Sequence, residues 1–317
     1  MDRILPRRLA KGDLIQVITP ASPVNFERLS RGVGLLTQMG FRVRLGRVLR
    51  NLCGNPMISA PDEERRKEVE EAFADSEVKC IIASRGGYGT LRILGDLDYS
   101  LIRDNPKIVV GYSDLTALLN SIYRMTGLVT FHGPMVATDF GAEQPSKYTL
   151  EWFKKATMGE HPIGEVEQPS GYLRCVVKGV ARGPIVGGNL SLITRMLGTP
   201  YQPEFEGKIV LLEEVDEDPY KVDGMLTHLL LNESIKKAAG IVFSTCINCP
   251  PPERAGKPIN AITVEEIVRE RLERIGVPCV YGFNAGHNTD IPTIPLGVMG
   301  ELDSSSLVFK VTETCTS

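Results

Sequence analysis

Ser113 stands where a hydroxyl could become a nucleophile. Residues 108–110 read as a short buried strand, Gly111-Tyr112 turns the chain, and residues 114–124 carry apolar side chains at helical spacing. A serine between a strand end and a helix start can project into a crevice. The first helix amides, which lack partners, then face any negative charge that develops there. This is the logic of a nucleophile elbow, although Asp114-Leu115 stands where G-x-S-x-G would have x-Gly. Serine is also a favoured helix N-cap, so the local sequence leaves both readings open.

A serine needs a base, and the chain has four histidines. His161 lies beside a proline in a polar stretch and reads as solvated. His228 sits inside a helical pattern among leucines and reads as packed or surface. His132 ends a strand before Gly133-Pro134, and a structural role is the simpler reading. His287 follows a strand in a loop whose Gly282 and Gly286 leave the imidazole free to point outward. A third group must hold such an imidazole in its working tautomer. Glu213 ends the apolar run 208–212 and could do so. Its acidic neighbours Glu214, Asp216, Glu217 and Asp218 argue the other way, since acidic runs usually face water. The loop Arg85-Gly86-Gly87-Tyr88-Gly89 is neither G-x-G-x-x-G nor G-x-x-x-x-G-K-[ST]. Its glycines, with the amide of Asp114, would suit an oxyanion hole.

The elements that must position these groups alternate. Strands are predicted at 14–19, 41–45, 80–84, 108–110 and 129–132, with helices at 26–39, 62–75, 91–97, 114–124 and 146–158. That alternation implies βαβ units and a mostly parallel sheet with helices on both faces. In such sheets ligands bind beyond the C-terminal strand ends, where the 85–89 loop and Ser113 both fall. Periodicity fades over 159–171, as in a linker. Beyond it, strands are predicted at 176–186, 208–212, 240–243, 278–282, 296–299 and 306–311, and helices at 190–197, 222–231 and 263–275. The expected division is 1–160 for an N-terminal α/β domain, 161–175 for a linker and 176–317 for a C-terminal domain.

Composition narrows the function. At 317 residues, 42% hydrophobic and 24% charged, the chain reads as soluble and globular, with room for two domains. A net charge of -3 with dispersed Lys and Arg gives no reason to expect nucleic acid or an anionic membrane as partner. Seven scattered cysteines do not make a disulfide framework, and the charged N-terminus does not read as a signal peptide. A reducing cytoplasm is the simplest location. Cys246 and Cys249 form C-x-x-C with no second pair to complete a zinc site, and no H-E-x-x-H occurs, so neither metal nor cofactor is expected.

Several stretches together resemble one family, the LD-carboxypeptidases (serine peptidase family S66, muramoyltetrapeptide carboxypeptidases). They are Arg85-Gly86-Gly87-Tyr88-Gly89, Asn105-Pro106-Lys107 running into Gly111-Tyr112-Ser113-Asp114, and Phe131-His132-Gly133-Pro134. Gly187-Gly188-Asn189-Leu190, Gly198-Thr199-Pro200-Tyr201, Leu212-Glu213-Glu214-Val215 and Gly286-His287 complete the set. The resemblance implies a flavodoxin-like N-terminal domain, a smaller strand-rich α/β C-terminal domain, and a triad at their junction. Ser113 would be the nucleophile, Glu213 the orienting carboxylate and His287 the base, with oxyanion amides from Asp114 and Gly86 or Gly87. Leu-Glu-Glu here stands for the family's usual Leu-Glu-Asp. The implied reaction releases D-alanine from a murein tetrapeptide in cytoplasmic cell-wall recycling, by a homodimer. Arg85 is a candidate partner for the substrate carboxylate, or a loop brace.

Two alternatives remain. A branch similar to microcin C immunity proteins uses the same triad on a peptidyl- or aminoacyl-nucleotide. The second half has no tryptophan to stack on a base, which favours the cell-wall substrate. A non-catalytic two-domain protein that closes on a small ligand would need neither Ser113 nor His287. The segment 248–258, with its three consecutive prolines, looks long for the family and could reshape the substrate mouth.

Overall fold

The computed structural model describes residues 2–50, 52–169, 172–250 and 262–317, with the backbone of 253–254 and 257–258. In the first half, β1 (Leu14–Ile18), α1 (Phe26–Gln38), β2 (Arg42–Leu45), α2 (Asp62–Ala74) and β3 (Val78–Ala83) follow one another. They lead to α3 (Tyr99–Asp104), β4 (Ile108–Gly111), α4 (Leu115–Thr126), β5 (Thr130–His132) and α5 (Lys147–Met158). β1 and β4 are buried along their whole length, as strands covered on both faces must be. β2, reading Arg-Val-Arg-Leu, forms the half-exposed edge, and its arginines suit a strand with one open side.

The second half runs β6 (Gly164–Glu165), β7 (Arg174–Val177), β8 (Val180–Asn189), α6 (Leu190–Met196), β9 (Ile209–Val215), α7 (Pro219–Asn232) and β10 (Gly240–Ile247). It ends with β11 (Glu253–Arg254), β12 (Lys257–Pro258), α8 (Val264–Ile275), β13 (Cys279–Phe283), β14 (Ile294–Leu296), β15 (Met299–Asp303) and β16 (Val308–Val311). Read from its edge, the first sheet is β2-β1-β3-β4-β5-β14. Its first five strands are parallel in the flavodoxin order 2-1-3-4-5, and β14 adds antiparallel to β5. The second sheet, β6-β16-β15-β8-β9-β10-β13-β7, is parallel from β8 to β13 and antiparallel on both flanks. The chain is thus mixed α/β with a largely parallel sheet and a second, strand-rich one.

Three local expectations are corrected. The strand expected over 176–186 is two, because Gly179 takes φ 151 between β7 and β8. The strand expected over 296–299 is the crossover from β14 in one sheet to β15 in the other, turning at Gly297 (φ 94). α3, whose six residues give too little periodicity to read, was not expected at all. The 161–175 stretch contributes β6 to the second sheet and the start of β7. In the 248–258 segment β11 and β12 pair antiparallel, and Pro251 and Pro252 lie outside the described residues. Among the described residues no helix is long and apolar enough to cross a membrane.

Candidate active site

β4 carries the chain to Ser113, which adopts φ 61, a left-handed conformation that a non-glycine residue holds only under constraint. The constraint is visible on both sides. Ser113 O accepts from Thr116 N at 2.9 Å, and the buried Asp114 carboxylate accepts from Thr90 N at 2.8 Å. Burial holds the Asp114 carboxyl above its ordinary range, the Thr90 bonds acting against it. Asp114 therefore ties the elbow to the loop before it. The helix-cap reading of Ser113 does not hold, because the N-cap position of α4 belongs to Asp114, with no side-chain cap. Gly86 lies directly against the serine: a Cβ there would sit 2.9 Å from Ser113 Cβ and 3.0 Å from Oγ. The amides of Gly86, Gly87 and Asp114 donate to no acceptor among the described residues.

Glu213 and Glu214 are successive residues of β9, and both are buried, at 1% and 2% exposure. The sequence leaves two readings open, an acidic run facing water and a Glu213 partly buried at the domain seam. β9 lies between β8 and β10, and both of its faces are covered. Glu214 accepts from Asn189 Nδ2 at 3.0 Å and Ser191 N at 2.9 Å, anchoring the start of α6. Glu213 Oε2 lies 2.8 Å from His287 Nδ1. Gly286 makes this approach possible: at φ 63, a Cβ would fall 2.4–2.5 Å from the Glu213 carboxylate. Burial alone would lower the affinity of His287 for a proton. The charge and hydrogen bond of Glu213 outweigh it, with Glu214 and Asp139 adding, so the imidazole sits above its ordinary value of 6.5.

Ser113, His287, Gly86, Gly87 and Arg85 line one cleft of about 330 Å³. Tyr112, next to the serine, meets the His287 ring edge-on with centroids 5.0 Å apart. Beyond His287 a second hollow of about 260 Å³ continues, lined by Asp139, Gln144 and Asn288. Both hollows share Tyr112, Thr138 and His287, so the imidazole stands midway along one groove. Arg85 is exposed and, among the described residues, tied to the carbonyls of Gly86 (3.2 Å) and Pro23 (3.4 Å). His161 and His228 are exposed, and His132 is buried one strand from the elbow. The Cys246 and Cys249 thiols interact with each other at the end of β10, and Cys246 is paired in register with Glu214.

Sequence reasoning missed the residues that hold this arrangement. Arg65 has a fully buried side chain and donates to Ala60 O at 3.0 Å and Gly89 O at 2.9 Å, fixing the 85–89 loop. Asn120 on α4 donates to Gly187 O and accepts from Gly187 N, at 2.8 and 3.0 Å, which clamps the serine's helix to β8. Asp139 accepts from Tyr112 at 3.3 Å and from Met135 N at 2.8 Å. Only Asn120 left a sequence signal, as a polar residue on the apolar face of a helix.

With this geometry in view, the class is defined by the two halves together. Residues 15–133 match the family model of the LD-carboxypeptidase N-terminal domain and 182–302 that of the LD-carboxypeptidase C-terminal domain, and the chain belongs to this family, peptidase S66. A probable murein peptide carboxypeptidase of Bacillus subtilis is 38% identical over 300 residues, 95% of this chain and 92% of the relative. The microcin C7 self-immunity protein MccF of Escherichia coli is 29% identical over 342 residues, 98% of this chain and 96% of that one. The crystal structure of a muramoyltetrapeptide carboxypeptidase from Oxalobacter formigenes matches with a TM-score of 0.80 at 30% identity, covering 94% of this chain and 97% of that one.

Proposed function

We propose that this carboxypeptidase uses Ser113, Glu213 and His287 to hydrolyse an L,D-amide bond, releasing terminal D-alanine from murein tetrapeptides in cytoplasmic cell-wall recycling. The observation that carries the reading is the 2.8 Å contact of Glu213 with His287 Nδ1, on an imidazole that lines the same cleft as the strained Ser113. With Nδ1–H donated to Glu213, Nε2 is the free lone pair. It takes the Ser113 proton as Oγ attacks the scissile carbonyl. The oxyanion is met by the amides of Asp114 and of Gly86 or Gly87. His287 returns the proton to the departing D-alanine nitrogen, and water, activated by the same imidazole, releases the acyl group. Arg85 is the arginine among the described residues lining the cleft and would receive the terminal carboxylate.

Similarity to the microcin C7 self-immunity protein supports a second reading, cleavage of a peptidyl- or aminoacyl-nucleotide. The lining favours the first. Asp216 lines the cleft, and Asp139 lines its continuation. Both carboxylates can receive an amine carried by a stem peptide, and Arg85 in the same cleft its terminal carboxylate. Purified protein is to be incubated with defined tetrapeptides and with an aminoacyl sulfamoyl nucleoside, scoring free D-alanine and free amino acid. D-alanine release, abolished by Ser113→Ala with peptide binding retained, is the expected result. Turnover of the nucleoside alone would replace the murein assignment with the second reading.

A further inference from the structure

His132 ends β5, paired in register with Gly111 of the strand that delivers the serine. The residue is 1% exposed, and neither ring nitrogen has a hydrogen-bond partner among the described residues. Gly188 forms one wall of its compartment, since a Cβ there would lie 3.3 Å from Nδ1. The Tyr112 ring forms another, its centroid 6.0 Å away, and the same ring meets His287. Glu213 pairs in register with Asn189, the residue after Gly188. Its Oε2 is taken by His287, while its Oε1 is sealed from solvent without a partner.

Two needs therefore meet in one place. Burial pushes the His132 imidazole down to about 4, so near neutrality it carries one N–H and no charge. The charges of Glu213 and His287 both act on it. An unmet donor and an unmet acceptor are each unfavourable when buried. One water between them would answer both. The other groups facing the Glu213–His287 pair are already engaged. Glu214 is held by Asn189 and Ser191, Asp139 by Tyr112 and Met135, and Cys246 by Cys249.

We infer that His132 is a positioning residue whose N–H serves Oε1 of Glu213 through one buried water, keeping Oε2 aimed at His287. The inference rests on the Ser-Glu-His reading above, and the test separates the two. His287 is titrated by NMR in the unaltered protein, in His132→Phe and in His132→Gln, and the same three proteins are assayed for D-alanine release. Phenylalanine keeps a flat ring without nitrogens, whereas glutamine keeps a donor. With its donor gone, the Glu213 charge bears more fully on His287. His132→Phe should then raise the His287 midpoint by about 0.5 pH unit or more and lower kcat about 10- to 100-fold, with KM nearly unchanged. His132→Gln should recover most of both.

An unmoved His287 midpoint in His132→Phe, or a kcat loss that glutamine does not recover, overturns the inference. If His132→Phe does not fold, the ring N–H of His132 in the unaltered protein decides: a slowly exchanging, hydrogen-bonded proton supports the inference and its absence overturns it. A shifted midpoint in a protein that releases no D-alanine would defeat the carboxypeptidase reading and leave His132 with its role toward Glu213.

Discussion

On the proposed mechanism His287 takes a proton only while its imidazole is neutral, so the acid limb of kcat/KM would report its affinity for that proton in the free protein. Glu213 holds that affinity above the ordinary 6.5, and activity should fall as the pH drops through a midpoint higher than 6.5. Glu213→Gln removes the opposing charge and leaves burial, which acts downward. Its limb should move to lower pH while kcat falls about 10⁴-fold. A pH–rate profile of both proteins checks this, and a limb unmoved by the substitution would contradict it. The same shift bears on stability. Protonated His287 beside Glu213 favours the fold below pH 6.5, and that contribution fades as the pH rises through the raised folded value. At this scale the turns that carry Ser113 and His287 were legible, because their neighbours announce them. The burial of Glu213 was not legible, because a charge at a strand end looks the same whether its flanking strands are present or not.

Elements rather than single residues bring the three groups together. α4 starts just after the serine and must stay on β8 for β9, alongside, to present Glu213 near the elbow. Gly187 and Gly188 let that contact close: a Cβ on Gly187 would fall 2.0 Å from Leu211 O, and one on Gly188 2.6 Å from Thr116 Oγ1. Asn120 then fastens helix to strand through both backbone groups of Gly187. Asn120→Ala strands that buried N–H and C=O and should destabilise the protein by about 2–4 kcal/mol. Urea unfolding measures it, and a change within about 0.5 kcal/mol would show that the clamp is not structural. Most strands and helices were legible in the sequence, since apolar periodicity is a local property. The clamp was not, because nothing near residue 120 says that residue 187 lies above it.

At the scale of the molecule, the first sheet is completed by a strand from the far end of the chain. β14 covers the edge of β5, with Ile294 opposite His132. A fragment of residues 1–160 would lack that strand and leave β5 open as an unpaired edge. It should be insoluble or loosely packed when expressed alone, and amide exchange of β5 would report it. A soluble fragment with a protected β5 would show that β14 is dispensable. The first domain was legible from its alternation of strands and helices. The return of β14 was not, because three residues of strand carry no address.

Only Gly297 and Val298 separate β14 from β15, so the chain passes from one sheet to the other within two residues. Gly297 N donates to Ile185 O at 2.7 Å, and Ile185 N to Val298 O at 2.9 Å, binding the crossing point to β8. These two bonds restrain the crossing point against β8, so any relative movement of the two sheets has to pivot about it. On the proposed mechanism, a pivot held at that point would let folding, more than closure around a peptide, set how Ser113 and His287 face each other.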